Sequence, residues 1–524
     1  MDSPAVWPKA TGKAVTDLLS EMAEDDRGRF SPSVYETGRL VSMAPSLSGH
    51  DRRVRYLLDE QRPDGSWGGP ARYDIVPTLS ATEALLTESR RPGCSPLVSP
   101  AAMRGIEALR HRLPRNDSLP DTVAIEIIVP GLVHDINVQL TERNASALPV
   151  PLGTSGDLLI ALRAAVDAGT ALPEKLWHSL ETIGEPARQA GFVKPVGGSI
   201  VGCSPAATAV WLGDDVIAEE HHPSVGYLRD VQDPAVAAVP VAAPLALFER
   251  SWVLSTLADC GIEFSAPPKL VASLHEAFGP HGAAGGLGLP ADADDTASAL
   301  YALARLGSPR SPRPLWEYEA GDHFSTFPEE RTPSTTTNAH VLQALGASVS
   351  ADPREKAHCA AAAAKVTAWL VEQQQPDGTW SDKWHASPLY SIACCATALA
   401  RYGGTNGRTA VAKAVDWLLK AQRADGSWGN WEGTAEETAF AVRTLLTTSA
   451  NGEDEAVTVA AARGCAFLLA NIENTRHPAL WHDKDLYTPL RIIETEMLGA
   501  LHLAKRNDKI VRRVAEQTTR IGAG

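Results

Sequence analysis

Basic charge is in short supply. The 524 residues hold 48 Lys and Arg against 63 Asp and Glu, a formal net charge of −15 at pH 7. A surface of that sign has no general attraction for nucleic acid or an anionic membrane, and leaves room only for a local basic pocket that takes a small anion. Cysteine is sparse and unpaired in pattern: Cys94, Cys203, Cys260, Cys359, Cys394, Cys395 and Cys465 are scattered, odd in number and without a CxxC spacing. That argues against a zinc framework or a disulfide scaffold and for a reduced, cytoplasmic setting. The opening MDSPAVWPKA carries no apolar signal core. The longest apolar run, Pro234–Phe248, is broken by Pro240 and Pro244 and is too short to span a bilayer. Strand signals are few. The best β-like run, AIEIIVPGL from Ala124 to Leu132, stops at Pro130, while Ala-rich helical patterns such as HCAAAAAKVTAWLVEQ fill the remainder. An all-α chain follows, and its length implies two cores rather than one.

Three related segments set the architecture: QRPDGSWGG from Gln61, QQPDGTWSD from Gln374 and QRADGSWGN from Gln422. Each follows one apolar helical stretch and precedes another rich in small residues, so each marks the turn of a helical hairpin. Asp-Gly ends the first helix and turns the chain; the Trp is expected to pack back over the turn, and the Gln to bond freed backbone groups. These are packing devices and carry no chemistry of their own. Paired helices closing into α/α barrels are the expected fold, with a boundary near Val239–Leu247 before the helix that begins FERSWVL.

A fourth, degenerate copy, GPHGAAGGLGLPADADDTASALYALARLG, keeps the Gly-rich turn and the following helix but loads the turn with Asp292, Asp294 and Asp295. Three explanations compete. Magnesium chelation usually places carboxylates at i and i+4 on one helical face, and this spacing of i, i+2, i+3 fits it poorly. A helix cap accounts for Asp292 or Asp294, but not for three carboxylates. A Brønsted acid accounts for the crowding: ionised neighbours hold a proton more tightly on a third carboxyl, which could then protonate an alkene in an apolar pocket. An ordinary acidic loop stands beside that last reading with equal weight.

Together these segments resemble the class II terpene cyclases. DADDTA (Asp292–Ala297) resembles their DxDD motif and the QxxDGxW repeats their QW motifs. FSPSVYETGRL, LPDTVAIEIIVPGL, KLWHSLE, CSPAATAVWL, FERSWVL, FPEERTPSTTTNAHVL, DKWHASPLY and DLYTPLRI resemble, in order, bacterial diterpene cyclases that make copalyl-type diphosphates. The resemblance implies two α-barrel domains, γ (59–245) and β (246–524), an N-terminal segment (1–58) packing with the β domain, and an active site between the domains. It implies no class I domain; DDVIAE (Asp214–Glu219) mimics a class I metal motif and is read as a surface acidic turn.

The resemblance also assigns roles. Asp294 is the general acid, with Asp292 and Asp295 tuning it. Asn338 corresponds to an asparagine hydrogen-bonded to the acid in plant relatives, and a helix cap is its equal alternative; His340, two residues on, is read as a packed histidine. Lys175, Lys194, Lys383 and Arg491 are candidates for a substrate diphosphate, and Trp384, His385 and Tyr390 for shaping a folded polyene. Mg2+ would assist the diphosphate, with Glu126 and then Asp121 as ligands. The implied substrate is geranylgeranyl diphosphate, cyclised with its diphosphate retained. Farnesyl diphosphate cyclisation to drimenyl diphosphate and a non-catalytic prenyl-binding scaffold are the alternatives. A separate class I synthase downstream, and a homodimer, are compatible with it.

Overall fold

The computed structural model describes residues 11–115, 118–151, 154–349, 352–448 and 454–521; the opening MDSPAVWPKA lies outside them. Helices dominate. In the C-terminal half, Ala246–Asp259, Ala293–Arg305, Thr335–Ala347, Pro388–Tyr402, Ala435–Thr448 and Leu490–Lys505 touch in that order, and the last returns to the first. This closes an inner ring. Pro268–Glu276, Pro353–Glu372, Gly404–Ala421, Glu455–Ala470 and Asp508–Ile521 lie outside it, each packed between consecutive inner helices or against one. The N-terminal half makes a smaller ring from Val34–Met43, Ile75–Glu88, Ile125–Glu142, the 3-10 segment Glu174–Thr182 and Pro205–Leu212.

The repeats explain why the hairpins recur. Trp67, Trp380 and Trp428 are all but fully buried, and each indole N–H donates to a carbonyl ten residues earlier: Leu57 (2.7 Å), Leu370 (2.8 Å) and Leu418 (2.8 Å). Gln61, Gln374 and Gln422 each donate to the glycine carbonyl of the turn and to a carbonyl of the second helix on, Ala101, Ala410 and Ala460. The glycines must be glycines. Gly378 has φ +101°, and a Cβ there would sit 2.6 Å from the Lys413 carbonyl.

Three apolar cores result. One belongs to the C-terminal ring, and two adjoining ones to the N-terminal half. The expected N-terminal segment 1–58 divides between them. Val15, Leu18, Leu19 and Met22 join the C-terminal core, whereas Tyr35, Leu40, Val41, Val54 and Leu57 join the N-terminal ones. The β-like run is corrected: it lies in the helix Ile125–Glu142, with Pro130 inside. Burial of Ile127, Ile128, Val129 and Leu132 in the two N-terminal cores overrides the β preference of the branched residues. Asp214–Glu219 is a short helix rather than a turn, tied down by Ser46, whose N–H and hydroxyl both donate to Asp214 (2.9 Å each).

Candidate functional site

Asp292 ends the Gly-rich turn in extended backbone and caps the helix Ala293–Arg305, its carboxyl accepting the Asp295 N–H at 2.8 Å. The turn is pinned to that helix by the Thr296 hydroxyl, which accepts the Ala283 N–H (2.8 Å). Gly285 packs so closely on Asp295 that a Cβ would lie 2.4 Å from Oδ2. The cap thus holds all three carboxylates in the first turn of a helix, whose N-terminal dipole favours negative charge.

Burial then sorts them. Asp292 is pushed well above the usual carboxyl range, first by desolvation and then by repulsion from Asp295 and Asp294. Asp295 is pushed up to about 7, by desolvation and then by Asp294, with one oxygen left without a partner. The expectation that Asp292 and Asp295 carry the charge is therefore corrected. Desolvation outweighs repulsion and falls on the flanking pair, so they hold protons into the neutral range as a coupled group. Asp294 keeps 18% of its side chain exposed, and its Oδ1 lies 2.8 Å from His340 Nδ1.

His340 takes the place expected of Asn338. Asn338 is fully buried and spends its amide on backbone: it accepts the Phe324 N–H (2.8 Å) and donates to the Phe324 and Ser334 carbonyls (2.9 Å each). His340, 8% exposed at the side chain, faces Asp294 on one side and the Cys394 thiol on the other. Against the desolvation of burial, the Asp294 carboxylate raises His340 well above its ordinary value.

An aromatic cluster adjoins the pair. Trp252 meets His340 edge-on at 5.5 Å and stacks on Tyr390 at 5.8 Å. Trp481 meets Trp252, Phe248, His385 and Tyr390 edge to face at 4.8–5.4 Å. A cavity of about 30 Å³ lies behind Trp252 and His340. Of the expected cavity residues, Tyr390 and His385 belong to this cluster. Trp384 sits at its edge, with a buried indole N–H that has no partner and with Lys383 Nζ 5.2 Å from its ring.

The expected cations separate. Lys175 and Lys383 come together, close enough to repel. Lys175 lies over the Phe327 ring (4.3 Å) and feels Glu126 and Asp292. Lys383 pairs with Glu330, donates to the Thr332 carbonyl (2.9 Å), and is lowered to about 8 by burial first and by Lys175 second. Lys194 is exposed and bonds its own loop at Gly191 (2.9 Å). Arg491 is held by Glu249 (2.9 Å) and Asp25 (3.0 Å), fastening the helix Leu490–Lys505 to its neighbours. Neither joins the lysine pair. Glu126 and Asp121 are exposed carboxylates whose charges act on Lys175 and Lys383 respectively. Among the described residues no cluster of three or more His, Cys, Asp or Glu could hold a metal alone. Two carboxylates are nonetheless the protein share that Mg2+ takes when phosphate oxygens and water complete its shell.

One group had no signal in the sequence beyond its motifs. The antiparallel hairpin of Trp481–His482 and Leu486–Tyr487 inserts Asp483, Lys484 and Asp485 between the halves. Lys484 is fully buried, bonded to Glu36 (2.5 Å), Glu181 (3.0 Å) and Ser204 (2.9 Å). Asp485 accepts the Ser33 hydroxyl (2.9 Å) and the Tyr35 N–H (3.0 Å), and Asp483 pairs with His178 (2.9 Å).

Residues 330–489 match the squalene-hopene cyclase C-terminal domain. The chain is 45% identical to an ent-copalyl diphosphate synthase of Streptomyces sp. (strain KO-3988), over 94% of this chain and 96% of that one. It is 41% identical to a copalyl diphosphate synthase of Streptomyces anulatus, over 95% and 92%. Among solved structures, the ent-copalyl diphosphate synthase from Streptomyces platensis superposes with a TM-score of 0.89 at 43% identity, covering 94% of this chain and 99% of that one. With the DxDD turn, the aromatic cluster and the paired rings already in place, these likenesses make the chain a member of the class II diterpene cyclases.

Proposed function

We propose that this enzyme converts geranylgeranyl diphosphate to a copalyl-type diphosphate, with Asp294 as the acid. The observation that carries the reading is the Asp294–His340 pair, 2.8 Å apart, at the edge of the aromatic cluster. His340 donates to Oδ1, which leaves Oδ2 to carry the proton outward; Asp292 and Asp295 keep the turn in shape and in protonic balance. Transfer of that proton to the terminal C=C makes a tertiary cation. Two successive attacks by internal double bonds close two rings and move the charge inward. Loss of a proton from a methyl group beside the last cation gives an exocyclic alkene. The C–O bond to the diphosphate is untouched throughout. His340 stabilises the carboxylate left behind, and the aromatic faces offset the travelling charge.

Lys175 and Lys383 would hold the diphosphate as point charges. Asp121 and Glu126 would hold Mg2+ against it, and the metal would supply charge neutralisation of the head group. The cores support taking 59–245 as the γ domain and 246–524 as the β domain, with this site where they meet. The copalyl diphosphate synthases among the relatives favour the C20 substrate over farnesyl diphosphate.

The test is incubation of the protein with each diphosphate, followed by phosphatase and mass spectrometry. A bicyclic C20 alcohol from geranylgeranyl diphosphate, abolished in Asp294→Asn, is expected. Full cyclisation by Asp294→Asn would end the assignment of the acid.

A further inference from the structure

Most buried glutamates in this protein have a cation. Glu496 bonds Arg443 (2.6 Å), Glu83 bonds Arg39 (2.6 Å), Glu249 bonds Arg491 (2.9 Å), and Glu36 and Glu181 share Lys484. Glu437 has no cation but is satisfied by the Asn430 N–H (2.7 Å) and the Thr434 hydroxyl (2.8 Å). Glu436 differs. It is 1% exposed, its Oε1 accepts only the Trp481 indole N–H (2.5 Å), and Oε2 has no partner. His385 Nε2 lies 3.6 Å from Oε1. Because His385 Nδ1 accepts the Ser387 N–H (3.0 Å), the neutral ring carries its proton on the nitrogen that faces Glu436. A carboxyl left so incompletely bonded costs stability that an apolar side chain would not.

What Glu436 does hold is the ring with the most aromatic neighbours in the cluster. Trp481 stands edge to face with Phe248, Trp252, His385 and Tyr390. Trp252 is anchored in the same manner, its indole N–H donating to Glu496 at 2.9 Å. The two tryptophans thus meet at 5.4 Å with each N–H directed away to a carboxylate. In the Trp252 anchor Arg443 cancels the charge; in the Trp481 anchor no cation among the described residues bonds the carboxyl, and His477 acts on it only through space.

Resting on the function proposed above, we propose that Glu436 is a positioning residue for cyclisation: it fixes the Trp481 indole and places negative charge behind it, so that the ring meets the cation developing on the folded polyene. An indole N–H given to a carboxylate leaves the ring richer in electron density, which strengthens its attraction for a cation. Burial pushes Glu436 up to about 8, with His477 and Glu496 the other charged groups acting on it, so the charge behind Trp481 is full only above that pH and the advantage of Glu over Gln should grow as pH rises.

The experiment compares Glu436→Gln, Glu436→Ala, Trp481→Phe and the double Glu436→Ala/Trp481→Phe on geranylgeranyl diphosphate, with melting temperatures measured alongside. Glu436→Ala is expected to lower kcat about 10-fold with KM little changed, and to divert product toward incompletely cyclised or hydroxylated compounds. Glu436→Gln keeps the acceptor without the charge and should fall between Ala and the wild type. The double variant should be no worse than the poorer single, because both remove one device. Unchanged kcat and product ratios in Glu436→Gln and Glu436→Ala would overturn the role, as would losses that multiply in the double variant. A fall in melting temperature with kcat per folded molecule preserved would also overturn it. Wild-type turnover is the control that separates the two readings: its absence defeats the proposed function, whereas its presence with unaffected variants defeats only Glu436.

Discussion

Asn338 and His340 stand two positions apart on the helix Thr335–Ala347, about 200° around its axis. One faces the Phe324 backbone and the other faces Asp294. The motif makes both visible in the sequence, but nothing there sets the rotation of this helix against Ala293–Arg305, so the resemblance alone cannot decide which of them meets the acid. The two residues now predict different losses. His340→Ala should lower turnover about 100-fold or more with KM little altered, as expected when a proton-transfer partner goes. Asn338→Ala should strand the Phe324 N–H and cost about 1–3 kcal/mol of stability, read as a lower melting temperature with turnover per folded molecule preserved. The reverse pattern would restore Asn338 as the partner of the acid. Lys383 was legible as a cation but not as a perturbed one, because burial and the proximity of Lys175 are products of the fold. With its ammonium lowered to about 8, it is charged below that pH and neutral above it. Inorganic pyrophosphate binding should therefore weaken as pH rises from 7 to 9, and Lys383→Met should flatten the profile in a calorimetric titration.

At the level of elements, the helical hairpins could be read almost completely, because the fastening repeats with the motif: the Trp of each turn bonds the preceding helix, and the Gln bonds the second helix on. Gly378→Ala would force a Cβ toward the Lys413 carbonyl at a left-handed backbone position. A destabilisation of about 1–3 kcal/mol is expected, measurable as a shifted denaturant midpoint; an unshifted midpoint would deny the turn its role. The helix Ile125–Glu142 was the element that local sequence misrepresented. Its branched residues argue for a strand that stops at Pro130, and only the ring of helices around it, which no local window contains, decides otherwise.

Across the whole molecule, charge is buried where the halves meet. Lys484→Met would leave Glu36 and Glu181 without a cation and should cost about 3–5 kcal/mol, seen as a cooperative loss of stability in chemical denaturation; a near-neutral result would show the ion cluster to be dispensable. Protonation acts on buried groups there and in the C-terminal ring. Asp485 and Asp295 are raised to about 7 and Glu436 to about 8, while His178 and His340 are raised above their ordinary value. Each of these groups binds its proton more tightly folded than unfolded, so the folded state holds more protons between pH 6.5 and 8. Stability should fall as pH rises through that window. His385 and His482, lowered to about 4, and Lys383, lowered to about 8, act in the opposite sense at the two ends of the window but are fewer. Melting temperatures at pH 6.5 and 8 and constant ionic strength check this, and a rise toward pH 8 would contradict it.

The segments SVYET, KLWHSLE and DLYTPLRI could be matched to relatives without any hint that they touch. They are far apart in sequence, and it is the hairpin at Trp481–Tyr487 that brings Ser33, Tyr35, His178 and Glu181 to one place. That hairpin has two jobs in one short ribbon: its tip is wedged in the opposite half, and its first residue is the tryptophan at the centre of the aromatic cluster. A graft that swaps one half of this enzyme for a relative's must therefore carry the ribbon's receptor along with it. A mismatched seat would tilt the wall against which the polyene folds, and the hybrid would be expected to err in what it makes before it fails to fold.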